Sequence, residues 1–384
     1  MKIIYNISTT ASEGGGMERV IVEKANYLAD NYNYDVIIIT TDQKDRPTFY
    51  PFSEKIRHIN LDINYDEISS ISNSIFSFYL YRIALIKHRR KLESLLMQEK
   101  ADIVISLGRD EKEFLFKIKD GSKKILESHR CLKPRARIEF NRTNSFVKRI
   151  KIVYRLLHET RIPKYYDKFI LLTEEDNEFW KEKKNTIVIP NPLPFNQIQT
   201  ALLENKRVLS VGRISIEKGI DRLLNIWSKV SNQFPEWKLT LIGEVIDREL
   251  LTQIEELKIQ SSVEVLPPTQ LIKEEYLNSS IYVMTSRFEG FGMVLIEAMG
   301  CGVPNISYTF KCGPRDIISD GEDGFLVEED DLETFVKKLI LLMNNDYLRK
   351  EMGAKAKLNS QRFSVENVME KWNNLFLELL KSSN

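Results

Sequence analysis

At 384 residues the chain exceeds what one ordinary hydrophobic core serves, so two domains are expected. Lysine plus arginine, 56, nearly cancels aspartate plus glutamate, 55, which excludes bulk affinity for a polyanion such as nucleic acid and makes any basic surface local. The three cysteines Cys131, Cys301 and Cys312 are odd in number and form no C-x-x-C, unlike a disulfide framework or a zinc site, and neither an apolar signal core in MKIIYNISTT nor a run of about 18 apolar residues points to secretion or a membrane span.

Lys2 to Ile7 reads as a short buried strand rich in β-branched side chains, followed by a polar and glycine loop from Ser8 to Gly16. Met17, Val20, Ile21, Ala25, Leu28 and Ala29 then recur at helical spacing. Asp35 to Thr40 is an uninterrupted apolar strand of the kind buried on both faces of a parallel sheet. This opening is Rossmann-like, yet Gly14-Gly15-Gly16 is not G-x-G-x-x-G, so a dinucleotide fingerprint is absent. Taken alone, three adjacent glycines also describe a surface loop.

Between Phe49 and Lys100, IFSFYLYRIALIKHRRKLESLLM predicts a helix with an apolar face and a basic middle, packed on the domain with its charges solvated. Asp102 to Ser106 and Lys124 to Glu127 are two more buried strands. Glu127-Ser128-His129-Arg130 ends the second, and a polar cluster at the carboxyl end of a parallel strand is where ligands bind in open α/β sheets. Of the four histidines, His58, His88, His129 and His158, only His129 has that placement. From Arg130 to Lys168 there are 12 Lys or Arg against three acidic residues, interleaved with Phe146, Val147, Ile150, Ile152, Val153, Tyr154, Leu156 and Leu157. Such a run describes either a solvated face or a basic amphipathic surface for an anionic bilayer, where each cation contributes about 1 kcal/mol. Lys168 to Thr173 and Thr186 to Pro190 close this half as strands, and Asn191-Pro192-Leu193-Pro194 marks an interdomain linker.

The second half repeats the alternation. Arg207 to Val211 reads as a strand, GRISIEKG from Gly212 to Gly219 as a loop and Ile220 to Val230 as a helix. Arg213 and Lys218 supply two cations there, where a diphosphate needs its charge neutralised. Trp237 to Gly243, Val263 to Leu266 and Ile281 to Thr285 are further strands. After the last comes SRFEGFGMVLIEAMGCGVP, residues 286–304, in which Gly290-Phe291-Gly292 turns into the helix-favouring run Met293 to Met299. A helix start presents unpaired N–H groups and partial positive charge, and glycines let the backbone approach an anion closely. Glu289 precedes the turn, while Glu297 lies about two turns inside by the 3.6-residue repeat. Two acceptors flanking one phosphate suit a ligand with hydroxyls at both ends, a sugar on one side and a ribose on the other. Singly, Glu289 could cap the helix and Glu297 could be a solvated helix residue. Asn305 to Ser307, the acidic turn Asp320 to Gly324 and amphipathic helices over Leu332 to Leu342, Asp346 to Asn359 and Val365 to Leu380 complete the chain.

The string EGFGMVLIEAMGCGVP resembles the E-x7-E signature of the retaining glycosyltransferases of family 4, within glycosyl transferases group 1. GGGMERV is similar to that family's GG-x-E-R loop, GRISIEKG to its G-R-x-x-x-E-K-G loop, and ESH to its histidine-bearing strand end. The resemblance implies an α/β, GT-B fold, two Rossmann-like domains facing each other across a cleft. The first, over 1–192, would bind the acceptor and the second, over 193–363, the nucleotide sugar, with the C-terminal helix, 364–384, crossing back. Donor contacts are implied for Gly15, Gly16, Gly212, Arg213, Lys218, Gly290, Phe291, Gly292, Met293, Val294 and Glu297, catalytic roles for His129 and Glu289, and a nucleobase near Leu266, Pro267 and Pro268. The implied reaction moves a hexose or N-acetylhexosamine from a nucleotide diphosphate sugar, with UDP-sugars favoured, to a glycan or polyprenyl-diphosphate-linked acceptor in surface polysaccharide biosynthesis. No D-x-D is present, and side-chain cations remove the need for a divalent ion, so neither metal nor other cofactor is expected. The expected partners are donor, acceptor and an anionic membrane surface, with no nucleic acid, and the expected location is cytoplasmic, peripheral at the inner face of the membrane. Two rivals stay open at this stage: a nucleotide-sugar epimerase on the same scaffold, and a non-catalytic nucleotide-sugar-binding protein.

Overall fold

The computed structural model describes residues 1–11, 16–71, 74–132, 136, 139–140, 143–180, 184–195 and 199–381. The chain divides into two compact units. Met1–Leu172, Asn177–Pro192 and Val365–Asn384 form the first, and Thr173–Asp176 with Leu193–Ser364 the second.

The first unit is built on seven parallel strands: β1 (Lys2–Ile7), β2 (Asp35–Thr40), β3 (Arg57–Asn60), β4 (Ile103–Ser106), β5 (Lys123–Glu127), β6 (Lys168–Leu171) and β7 (Thr186–Val188). Their order is β3-β2-β1-β4-β5-β6-β7. Side chains alternate across a strand, so β1 serves two cores. Ile3, Tyr5 and Ile7 pack with Leu28 of the helix Gly16–Asn31 and with Trp372 and Phe376 of the helix Val365–Lys381. Ile4 joins Ile37, Ile39, Leu92, Leu96 and Trp180 on the opposite face. The terminal helix is thereby part of the first unit, and the Tyr34 hydroxyl donates to Asn373 Oδ1 at 2.6 Å. Truncating a buried aromatic such as Trp372 to alanine typically costs about 3–5 kcal/mol, so this helix is integral to the core.

Six parallel strands organise the second unit: β8 (Arg207–Val211), β9 (Lys238–Ile242), β10 (Val263–Leu266), β11 (Ile281–Met284), β12 (Asn305–Tyr308) and β13 (Gly324–Val327), in the order β10-β9-β8-β11-β12-β13. Trp227 and Trp237 lie wholly buried in its core. Arg349, also buried, donates to the carbonyls of Leu203 at 3.1 and 3.2 Å and of Leu342 at 2.6 Å, which pins the helix Asp346–Ser360 to the sheet's helical layer.

Three elements go beyond the expectations. β3, with the sequence RHIN, is a half-exposed edge strand and lacks an apolar run for that reason. β13 follows the acidic turn as a sixth strand. The helix Ser74–Glu99 buries only one row, Ala84, His88, Leu92 and Leu96 at a spacing of four, and leaves Phe78, Tyr79, Ile83 and Ile86 exposed. Among the described residues no helix is long and apolar enough to cross a membrane.

In that buried row, His88 Nδ1 lies 3.0 Å from the Tyr65 hydroxyl, and its ring meets Phe114 edge-on at 5.1 Å. Burial pushes the imidazole down from 6.5 to about 4. A depressed pKa means that the unfolded chain binds the proton first. The contribution of His88 is therefore complete above pH 6.5 and is lost as the pH falls to about 4, on the order of 3 kcal/mol in all. In urea titrations between pH 7 and 4, wild type should lose more stability than His88→Phe; parallel curves would refute the assignment.

Candidate active site

In each sheet the chain direction of travel reverses between the first strand and the fourth, β1 and β4 in one unit, β8 and β11 in the other. Crevices open beyond the carboxyl ends of strands at such reversals. In the second unit, the loop Gly212–Gly219 leaves β8 and the turn 285–292 leaves β11. They are stitched together. Gly219 has φ +67°, and a Cβ there would lie 1.9 Å from the Thr285 carbonyl oxygen. The Thr285 hydroxyl donates back to the Gly219 carbonyl at 2.8 Å, and Arg287 N donates to the Glu217 carbonyl at 3.0 Å. The Arg287 guanidinium forks onto both oxygens of Asp221 at 2.6 Å. Burial works against the Asp221 charge, but Arg287 prevails and holds the carboxyl below its usual range.

This stitching brings Lys218 to Glu289: Nζ and Oε1 are 2.6 Å apart, and the Ser286 hydroxyl donates to the same oxygen at 2.9 Å. Glu289 is therefore not a helix cap. The cap position of the helix Met293–Gly300 is Gly292, with φ +98° and no capping side chain. Met293 and Val294 are half-buried in the first turn, and Gly290 is half-buried before it. Glu297 is 7% exposed, not solvated, and accepts from the Tyr276 hydroxyl at 2.9 Å.

Two expected donor residues sit differently from a simple reading of their types. Phe291 is buried edge-on against Phe363 at 5.9 Å, so only its backbone faces the turn. Arg213 pairs at 3.1 Å with Glu217 on the exposed surface and not with the Lys218–Glu289 cluster. Gly212, at the strand end, donates its N–H to the Ile242 carbonyl at 2.9 Å.

In the first unit, Gly15 lies outside the described residues. Gly16 begins the helix Gly16–Asn31, is exposed, and has room for a Cβ. His129 follows β5 and lines a pocket with Met17, Gly108, Arg109, Lys112 and Trp180. Beneath it Lys24 Nζ lies 2.7 Å from both oxygens of Glu127, and His129 Nε2 is 3.1 Å from Glu127 Oε1. Burial opposes the Glu127 charge, yet Lys24 and His129 hold its carboxyl down at about 2. Burial also lowers Lys24, against the pull of Glu127. Sequence reading passes over Lys24, but a signal exists: it falls on the apolar row Val20, Ile21, Lys24, Ala25, Leu28, where a lysine needs a buried partner. Arg287 and Asp221, 66 positions apart, carry no local signal.

The model of glycosyl transferases group 1 matches residues 195–359. Over 379 residues, 97% of this chain and 99% of the relative, 31% are identical to an uncharacterized glycosyltransferase of Haemophilus influenzae. The chain belongs to the glycosyl transferases group 1. This glycosyltransferase is also 28% identical to the amylovoran biosynthesis glycosyltransferase AmsD of Erwinia amylovora, covering 95% of the chain and 96% of the relative. It is 25% identical to the GalNAc-alpha-(1->4)-GalNAc-alpha-(1->3)-diNAcBac-PP-undecaprenol alpha-1,4-N-acetyl-D-galactosaminyltransferase of Campylobacter jejuni, with 99% of each covered. Among solved structures, sucrose-phosphate synthase from Thermosynechococcus elongatus superposes with TM-score 0.81 at 16% identity over 99% of each chain. The pneumococcal O-GlcNAc transferase GtfA in complex with UDP and GlcNAc does so with TM-score 0.76, also at 16% identity and 99% of each. These likenesses show the GT-B fold of two Rossmann-like α/β domains.

The glycosyltransferase's Gly219 provides a direct check on the stitched loops. Gly219→Ala should cost at least about 1–2 kcal/mol for the left-handed backbone, plus the overlap with Thr285. Gly321→Ala, at φ +78° with open space around it, should lose only the backbone share. Equal losses in the two melts would show that the close approach is unimportant.

Proposed function

We propose that this glycosyltransferase moves a hexose or N-acetylhexosamine from a UDP-sugar, with retention at the anomeric carbon, to a glycan or polyprenyl-diphosphate-linked acceptor in surface polysaccharide assembly. The observation that carries the reading is the Lys218–Glu289 pair beside an uncapped helix start. A cation, a carboxylate and unpaired N–H groups at one strand end match a diphosphate attached to a hydroxyl-rich ring. The UDP-bound likeness and the Campylobacter relative's α-linked product and undecaprenol-linked acceptor support the donor and acceptor classes. UDP-hexoses are α-configured, so an α-linked product is what retention yields. AmsD supports the polysaccharide setting.

As the acceptor oxygen forms its bond to the anomeric carbon, the bond from that carbon to the β-phosphate oxygen breaks, the acceptor proton passes to the β-phosphate, and UDP leaves. Lys218, the first-turn N–H groups of Met293 and Val294, and Arg213 stabilise the growing phosphate charge. The exposed Arg213–Glu217 pair, worth about 1 kcal/mol or less, gives way readily to a diphosphate. Glu289 orients the hexose hydroxyls, Glu297 the ribose hydroxyls, and Gly212, Gly290, Phe291 and Gly292 contribute backbone. His129 orients the acceptor or the transferred sugar. With its charge met by these groups, the reaction needs no metal.

The helix Phe146–Glu159 buries none of its residues, with Phe146 and Tyr154 75% and 73% exposed. Phe140, Ile150, Val153 and Leu157 join them along one apolar groove, beside Lys148, Arg149, Lys151 and Arg155. An apolar face beside four cations fits an anionic bilayer, and the lipid-linked acceptor class supplies the reason to dock there.

Turnover of UDP-sugars with lipid-linked acceptors should persist in EDTA and give an α-linked product by NMR; loss on chelation, or a β-linkage, would overturn the metal-free retaining reading. Lys218→Ala should weaken UDP binding by roughly 10- to 100-fold, the value of a charge-assisted hydrogen bond. Glu297→Gln, which keeps the buried packing, should chiefly weaken UDP, whereas Glu289→Ala should cut kcat with UDP affinity nearly intact. Equal loss of UDP binding in both refutes that division.

Flotation with phosphatidylglycerol vesicles should recover the protein at low salt and release it at high salt, and Phe146→Ser/Tyr154→Ser should abolish recovery. Equal recovery on phosphatidylcholine vesicles, or none on either, rules out docking on an anionic bilayer.

A further inference from the structure

Lys24 and Glu127 are each 1% exposed, and a lone carboxylate at that depth would shed its charge. It does not, because the Lys24 ammonium spans both of its oxygens while lying 3.8 Å over the Trp372 ring and 5.7 Å from that of Tyr5. Such a pair adds little to stability, since apolar residues of similar volume commonly replace buried ion pairs at no loss. What it does supply is a fixed, ionised acceptor at the end of β5. That acceptor touches His129. Nε2 is buried, lies 3.1 Å from Glu127 Oε1 at an angle too bent for a hydrogen bond, and has no hydrogen-bond partner among the described residues.

An ionised carboxylate can only accept. A bare Nε2 lone pair within 3.1 Å of it would set two electron-rich atoms against each other inside the protein, which is repulsive, so Nε2 carries the proton. We infer that Lys24 and Glu127 are positioning residues for His129: the ion pair fixes the Nε2–H tautomer and leaves Nδ1 as the nitrogen offered to the pocket. Nδ1 is then the acceptor that a substrate hydroxyl meets, and the imidazole cannot turn over without burying a lone pair against charge. The consequence for catalysis rests on the role proposed above for His129. The tautomer does not.

Four histidines make the test tractable by ¹⁵N NMR of the ring nitrogens at alkaline pH, with His129→Gln to assign the signal. Wild type should show neutral His129 protonated on Nε2; protonation on Nδ1 overturns the inference outright. Lys24→Met/Glu127→Leu removes the acceptor without leaving an unpaired charge. It should relax His129 to a tautomer mixture and lower kcat roughly 10- to 100-fold, the usual effect of losing a partner that orients a histidine, with KM for the UDP-sugar little changed. Lys24→Met/Glu127→Gln returns a neutral acceptor oxygen and should restore the Nε2–H form and part of the rate. A folded Leu variant that keeps the wild-type tautomer refutes the positioning role whatever its activity. Absence of transfer in wild type would refute the functional reading while the tautomer result still decides this one.

Discussion

The meeting of Lys218 and Glu289 depends on a residue with no side chain. The Thr285 carbonyl occupies the place where a Cβ of Gly219 would sit, so the β8 loop can lie against the end of β11 only with glycine at that point. Once it does, Thr285, Arg287 and Asp221 close the seam with hydrogen bonds, and a cation and a carboxylate 71 positions apart are held at 2.6 Å beside an open helix start. The charged groups need no strained backbone of their own. The close approach falls on Gly219, where glycine makes the left-handed backbone inexpensive.

The first unit solves a different problem. Its strand end carries a histidine whose protonated nitrogen, on the inference above, is set from below by a carboxylate that stays charged in a dry environment. Lys24 makes that possible, and the C-terminal helix contributes Trp372 to cover the ammonium. A helix from the far end of the chain is thus tied to the electrostatics under His129. The near neutrality of the whole chain conceals this pattern, because both units place opposite charges in direct contact while the helix Phe146–Glu159 carries excess basic charge.

Much of this was legible in the sequence where one physical cause dominates. Strands buried on both faces, such as β1, β2 and β4, announce themselves as β-branched runs, and the EGFG turn reads as the entry to a helix, which follows at Met293–Gly300. Edge strands do not: β3 is polar because one side meets solvent, and β13 hides behind an acidic turn. Side-chain partners resist reading for the same reason that folding creates them, namely that they join distant segments. Arg213, read as half of a clamp, pairs with Glu217 four residues away in the loop, and Phe291 packs its ring into the core against Phe363. The pairing of Glu297 with Tyr276 is found only when the chain is folded.

The two exposed apolar helices of the first unit are linked through one short segment, Asp110–Glu113. Tyr81, on the helix Ser74–Glu99, donates to Asp110 at 2.7 Å. His158, on the helix Phe146–Glu159, lies 3.4 Å from Glu113, and Glu159 lies 3.5 Å from Lys112. That segment and the residue before it also supply Arg109 and Lys112 to the pocket that His129 lines. On the proposed reading, a bilayer lying along the helix Phe146–Glu159 would sit beside the pocket assigned to the acceptor, separated from it by a single helical turn. A soluble acceptor gains nothing from that adjacency. An acceptor whose lipid stays in the membrane would meet that pocket beside the helix, because Glu159 at the helix end lines it together with Arg109 and His129. The apolar exposure of these helices and the cations of the pocket then have one explanation instead of two.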